Sequence, residues 1–231
     1  MIAPQFATHR IGSATASHTL ELFLDLVCPF SKKQLNGVRN ELIPLIESNQ
    51  LVKKHLSVVI CQVSKRALTI LNDNAVVQPW HSSSTLVHEA ALGVSKVLTD
   101  KGTASFDDPK VVSKFQEYFF KLMDKQEEYY DEPCAAESPD QTRERLADLA
   151  ASIGVDRESF VKAISVGKGN SGTSVTNDLK LQTKYHRTRG VHVTPTVFLD
   201  GLAEPSISSS FTREDWVKFL TEKVLPPGSK L

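Results

Sequence analysis

Residues 20–27, Leu-Glu-Leu-Phe-Leu-Asp-Leu-Val, set the first limit on what this chain can become. In an extended backbone, successive side chains point to opposite faces. Leu20, Leu22, Leu24 and Leu26 therefore share one face, while Phe23 and Val27 lie on the other. A strand that is apolar on both faces belongs in the interior of a sheet covered from both sides. The run breaks at Cys28 and Pro29, and from Ser31 onward Leu35, Val38, Leu42, Leu45 and Ile46 recur at helical spacing. Pro29 suits a helix start, where its missing N–H costs nothing. Pro44 falls inside the same pattern and is expected to kink or shorten the helix.

A second apolar run at 56–63 predicts another strand, which makes a strand-helix-strand unit with a right-handed crossover. After a polar loop carrying Pro79, Trp80 and His81, about a hundred residues read as helical. One helix is expected over 83–98. Another is expected over about 109–128, with Val111, Phe115, Phe119 and Leu122 on its inner stripe. Ser138 and Gln141 are spaced as a capping box for a helix that ends at Gly154. Short and longer helices follow near 160–164 and 175–189, the latter closed by Gly190. Strand character returns at 191–199, Asp200-Gly201 is a hairpin signal, and Pro205 puts the returning strand at a sheet edge. Thr212, with Asp215 three residues on, opens a last helix that turns Trp216, Phe219, Leu220 and Val224 inward. The expected class is α/β: a mixed sheet in the order β-α-β, helical insert, β-β-α. The first part spans 1–80, the helical insert 81–172 and the second part 173–231.

Twenty-seven basic and 27 acidic residues cancel, so no net field draws the chain to nucleic acid or to a membrane surface. Small molecules or proteins are the expected partners. No apolar run is long enough to span a bilayer or to form a signal-peptide core, so a cytoplasmic protein is expected. Residues 1–19 lack acidic residues and include His9 and Arg10, a faint likeness to an organelle transit segment. Cys28, Cys61 and Cys134 are odd in number and widely spaced, which fits thiols better than a disulfide framework. The seven histidines show no ligand spacing, with His186 and His192 in different elements, and no metal is implied.

Residues 9–31, which contain Ile-Gly-Ser-Ala-Thr-Ala and then Phe-Leu-Asp-Leu-Val-Cys-Pro-Phe-Ser, resemble the lead-in, strand and active-site turn of the DsbA-like branch of the thioredoxin superfamily. Residues 190–201 are similar to that family's cis-proline strand and hairpin. The resemblance covers nearly the whole chain and implies a thioredoxin-like mixed sheet. It also implies that Thr194 and Pro195 lie opposite the turn and pair with an extended substrate or glutathione, beside Pro29 and Phe30. Ser31 stands where family oxidoreductases commonly carry a second cysteine.

Cys28, at the onset of a helix, is expected to face unpaired N–H groups and the positive end of the helix dipole, which favour thiolate. An exposed turn is expected, with Lys32 and Lys33 nearby. Ser31 falls one turn on, placed to hydrogen-bond the sulfur but unable to attack a mixed disulfide. The reading is therefore a monothiol oxidoreductase with Cys28 as nucleophile and Ser31 as its partner. It has no bound cofactor and takes glutathione as a cosubstrate or a thiol- or disulfide-bearing protein as partner. Two alternatives stand beside it: a glutathione transferase resembling the kappa class, with Ser31 activating glutathione, and a catalytically silent thioredoxin-like module that binds proteins. Asp25 is a candidate buried proton acceptor; His81 is either a surface histidine or one that lies near Cys28 and tunes or accepts its proton; Cys61 is a core residue and Cys134 a remote candidate for a resolving thiol. Tyr129 and Tyr130 are expected to pack.

Overall fold

The computed structural model describes residues 3–64, 69–71, 74–76, 81–100, 102 and 104–231. Pro79 and Trp80 lie outside the described residues. Two compact units emerge, one of residues 10–24, 28–61 and 193–231, the other of residues 1–9, 25–27 and 62–192.

The first unit is built on a mixed five-stranded sheet. Strand β1 is Arg10–Ile11 and β2 is His18–Leu24. Helix α1 (Pro29–Gly37) runs through a π-helical turn, Val38–Leu42, into α2 (Ile43–Ser48), followed by α3 (Gln50–His55) and β3 (Leu56–Gln62). The strand order is β1-β3-β2-β6-β7, where β6 is Thr196–Leu199 and β7 is Leu202–Ala203. β2 pairs antiparallel with β6, with Leu22 opposite Val197. Leu20, Leu22, Phe23 and Leu24 are buried, so both faces of β2 are covered, and Phe23 meets Phe198 edge-on at 5.2 Å. β1, which the sequence pattern did not suggest, pairs with β3 through Arg10 and Val59. Its two residues are too short for any periodicity to register.

Pro44 does not end the helix. The preceding π turn lets the Ile43 N–H donate to the Val38 carbonyl, and the wider turn accommodates a residue that has no N–H to give. At the hairpin, Asp200 and Gly201 both take positive φ, 50° and 85°. The tip is clamped to the start of β2: the Thr19 N–H donates to Asp200 Oδ1 (2.8 Å), and His18 Nδ1 lies 2.6 Å from Oδ2. β6 starts at Thr196 rather than 191, directly after the cis Thr194–Pro195 peptide. The last helix, α10 (Arg213–Phe219), has the expected capping box of Thr212 and Asp215.

The second unit is mainly helical. A small two-stranded sheet, β4 (Thr69–Leu71) with β5 (Asn74–Val76), precedes α4 (Ser84–Thr99) and α5 (Pro109–Asp124). Then come α6 (Asp131–Cys134), α7 (Pro139–Ala151) with the Ser138–Gln141 capping box, α8 (Arg157–Ile164) and α9 (Thr176–Thr188). α5 is shorter than the 109–128 expected because a 3-10 turn, Gln126–Tyr129, follows it. The helical unit also extends past the expected 81–172, since α9 packs against α4. Among the described residues no helix is long and apolar enough to cross a membrane.

Two features of this unit bear directly on stability. Gly93 of α4 lies so close to α8 that an added Cβ would sit 2.7 Å from Ile164 Cγ2 and 3.3 Å from Phe160 Cε2. Gly93→Ala gains about 1 kcal/mol of helix propensity but overpacks a core contact at roughly 1–3 kcal/mol. The expected net result is a loss of about 1 kcal/mol by urea denaturation; a variant at least as stable as the parent would mean that Ile164 moves aside freely. His186 of α9 is buried, with Nδ1 3.4 Å from the Val191 carbonyl. Burial lowers its pKa from 6.5 to about 4, helped by Arg187 and His88 and opposed by the Val191 contact. The unfolded chain therefore binds this proton more readily, so the stability due to neutral His186 is complete above about pH 6.5 and is lost as pH falls toward 4. His186→Phe should flatten the pH dependence of the melting temperature across that window, and an unchanged slope would assign it to another group.

Candidate active site

Cys28 is the N-cap residue of α1, with extended backbone (φ −85°, ψ 121°), and its carbonyl accepts from the Lys32 N–H at 3.1 Å. The strand's apolar pattern ends before it, and Pro29 at the first helical position is already shaped for the turn. Across from it, the Thr194 carbonyl accepts from the Cys28 thiol at 3.4 Å, immediately before the cis Thr194–Pro195 peptide. The turn and the proline strand thus meet at the sulfur.

The expected exposure of this sulfur is not found: Cys28 is only 3% exposed. What is exposed is its surroundings, with Phe30 at 66% and Val193 at 56%, while Pro29 is also open to solvent. Thr194 is buried and Pro195 half-buried. Ser31 lies in the first turn of α1 and is fully buried. Lys33 reaches Ser210 Oγ at 2.7 Å.

Asp25 precedes Cys28 by three residues and belongs to the helical unit. It is fully buried, yet richly supplied with donors. Ser84 Oγ donates to Oδ1 at 3.0 Å and the Val27 N–H at 3.2 Å; His81 Nδ1 lies 2.9 Å from Oδ2 and His88 Nε2 3.5 Å from Oδ1. Burial by itself would raise this carboxyl, but the bonds and charges of His81 and His88 outweigh it and hold it well below the usual carboxylate range.

His81 is therefore not the unengaged surface histidine expected from its loop. Its backbone takes a positive φ of 63°, a conformation uncommon for a residue with a Cβ. The Asp131 carboxylate holds it there, accepting from the N–H groups of His81 (3.0 Å) and Ser82 (2.7 Å). Ser84 and His88 were missed in the sequence. With His81 they fall at i, i+3 and i+7, the spacing of one helical face, and that pattern was the available signal.

None of the three cysteines forms a disulfide. Cys61 is buried in β3, as expected. Cys134 is half-buried with Sγ 3.7 Å from Arg145 Nη2; burial pushes its thiol up, and Arg145 offsets this only in part. Tyr129 is buried beneath the Arg145 guanidinium, and Tyr130 donates to Gln126 Oε1, so both pack as expected.

Solved structures share this fold over almost the whole chain. A candidate protein-disulfide isomerase from Pseudomonas syringae aligns with a TM-score of 0.62 at 22% identity, covering 91% of this chain and 96% of its own. DsbA from Chlamydia trachomatis aligns at 0.56 and 17% identity, covering 96% and 92%. This chain has the DsbA-type thioredoxin-like fold. Oxidised BdbD from Bacillus subtilis aligns at 0.57 and 16% identity, covering 93% and 91%. No protein-family profile and no curated protein matches the sequence. The likeness is one of architecture.

The Asp25 cluster gives a direct test. Asp25→Ala leaves His81, His88 and Ser84 facing an uncharged gap, and a loss of roughly 3 kcal/mol is expected by denaturant unfolding at neutral pH. The contribution is present above the unfolded carboxyl pKa of about 3.9 and fades as pH falls below it. A cost under about 1 kcal/mol at neutral pH would mean that desolvating the carboxylate cancels its bonds.

Proposed function

We infer that the chain is a thiol-disulfide oxidoreductase that acts through Cys28 alone. The observation that carries this reading is the Cys28 sulfur at the start of α1, bonded to the carbonyl that precedes a cis proline. Likeness to the solved DsbA and to the candidate protein-disulfide isomerase supports it.

In the proposed cycle Cys28 gives up its proton, and Sγ attacks one sulfur of a disulfide or of a glutathionylated thiol. An Sγ–S bond forms as the original S–S bond breaks, and the departing sulfur takes up a proton. Negative charge arising on Sγ meets the positive end of α1. Ser31 has no sulfur with which to resolve the mixed disulfide, so an external thiol such as glutathione attacks it. Cys28 returns as a thiol, and the oxidising equivalent leaves with the external thiol. Reduction, isomerisation or deglutathionylation follows more naturally from this cycle than net oxidation. The Thr194 backbone is the proposed rail for an extended substrate, in the manner of an added strand, with exposed Phe30 and Val193 beside it. Because Cys28 itself is nearly covered, approach along that rail is the proposed route to the sulfur.

Mass spectrometry after oxidised glutathione should show an adduct on Cys28 that is absent from Cys28→Ser, with Cys61 unmodified. Ser31→Cys should form an internal disulfide with Cys28 and gain dithiol oxidase activity. A protein that takes no adduct at Cys28 fits a silent binding module instead. Glutathione conjugation that survives Cys28→Ala and fails in Ser31→Ala would replace this reading with the kappa-class one.

A further inference from the structure

The helical unit holds a groove of about 580 Å3 that the Cys28 chemistry does not use. Its volume lies within the range of small-molecule sites. Among its lining residues are Thr85, Glu89, Thr142, Arg143, Thr173 and Thr176, so hydroxyl groups and charges of both signs stand in it beside apolar side chains such as Leu86 and Val166.

Glu89, on α4 one turn after Thr85, is 6% exposed. Its Oε1 accepts from Thr173 Oγ1 at 3.0 Å and from Thr176 Oγ1 at 2.8 Å, and these are its hydrogen bonds among the described residues. No cationic side chain pairs with it among the described residues. An ionised carboxylate has about four acceptor positions, and a buried charge without a counter-charge is costly. The arrangement is that of an acceptor with room for a cationic donor. Glu137, another carboxylate on the wall, differs in being held by Arg145 at 2.8 Å.

Arg143 is 8% exposed. Its Nη1 donates to the exposed Asp140 at 2.8 Å, while its Nε is buried with no hydrogen-bond partner among the described residues. Nε with a neighbouring Nη forms one of the edges on which a guanidinium takes a carboxylate bidentately. A neighbouring groove of about 390 Å3 shares Thr85, Glu89 and Thr176, so Glu89 stands where the two meet and leaves length for more than one residue of a peptide.

We propose that this groove binds a free amino acid or short peptide as its zwitterion, with the ammonium on Glu89 and the carboxylate on Arg143. With Glu137 taken by Arg145, Glu89 and Arg143 are the lining charges left to match the two that such ligands carry. The proposal does not depend on Cys28.

The test uses the full chain and calorimetric titration with the free amino acids and with alanylalanine. At least one of these is expected to bind. For the tightest binder, acetylating the amine or amidating the carboxylate should each weaken binding about tenfold or more, the usual scale for a hydrogen bond to a charged group. Glu89→Gln should remove the penalty for acetylation, and Arg143→Gln the penalty for amidation. The proposal is overturned if none of these compounds binds, if the blocked forms bind as tightly as the parent, or if inorganic phosphate displaces the parent from Arg143 while acetylation has no effect. The blocked ligands interrogate the unaltered protein, so they decide the matter even if a variant does not fold.

Discussion

A strand with apolar side chains on both faces must be walled in on both, and most of the sheet unit follows from that demand. β2 sits between β3 and β6, with Phe23 and Glu21 buried on one side and Leu20, Leu22 and Leu24 on the other. Its position is fixed by backbone pairing at both edges, so the residues that leave its end have little freedom of direction. β2 ends at Leu24, and α1 begins at Pro29 with Cys28 as its N-cap.

The turn itself depends on an electrostatic arrangement. A buried carboxylate is unfavourable unless donors surround it, and Asp25 has the Val27 N–H, a serine hydroxyl and the His81 imidazole, with the His88 ring 3.5 Å away. The Leu26 carbonyl is likewise taken up, by Gln126 Nε2 at 3.0 Å. Backbone polar groups in a short buried loop need partners, and here the helical unit supplies them for the three residues it contributes to the turn.

Much of the local grammar was legible in the sequence. The two capping boxes, the Asp200-Gly201 turn and the proline at the head of α1 depend on neighbours within a few residues, and such signals survive without tertiary context. The burial of Cys28 did not show itself because the group covering it, the Thr194 carbonyl, lies 166 residues away in the chain. The role of His81 was hidden for the same reason, since both of its carboxylate partners are distant in sequence. Pro44 was read from propensity alone, which takes no account of a wider helical turn ahead of it.

That π turn at Val38–Leu42 leaves a mark on the rest of its helix. One additional residue in a turn rotates everything after it by about 100° relative to an uninterrupted α-helix. Leu35 before it, Val38 and Leu42 within it, and Leu45 and Ile46 after it are all buried, and their sequence spacing keeps the ordinary helical step throughout. The covered side of this segment is therefore wide enough to absorb that rotation: aliphatic side chains ahead of the turn and beyond it both reach the interior, with no change of step in the order of the residues.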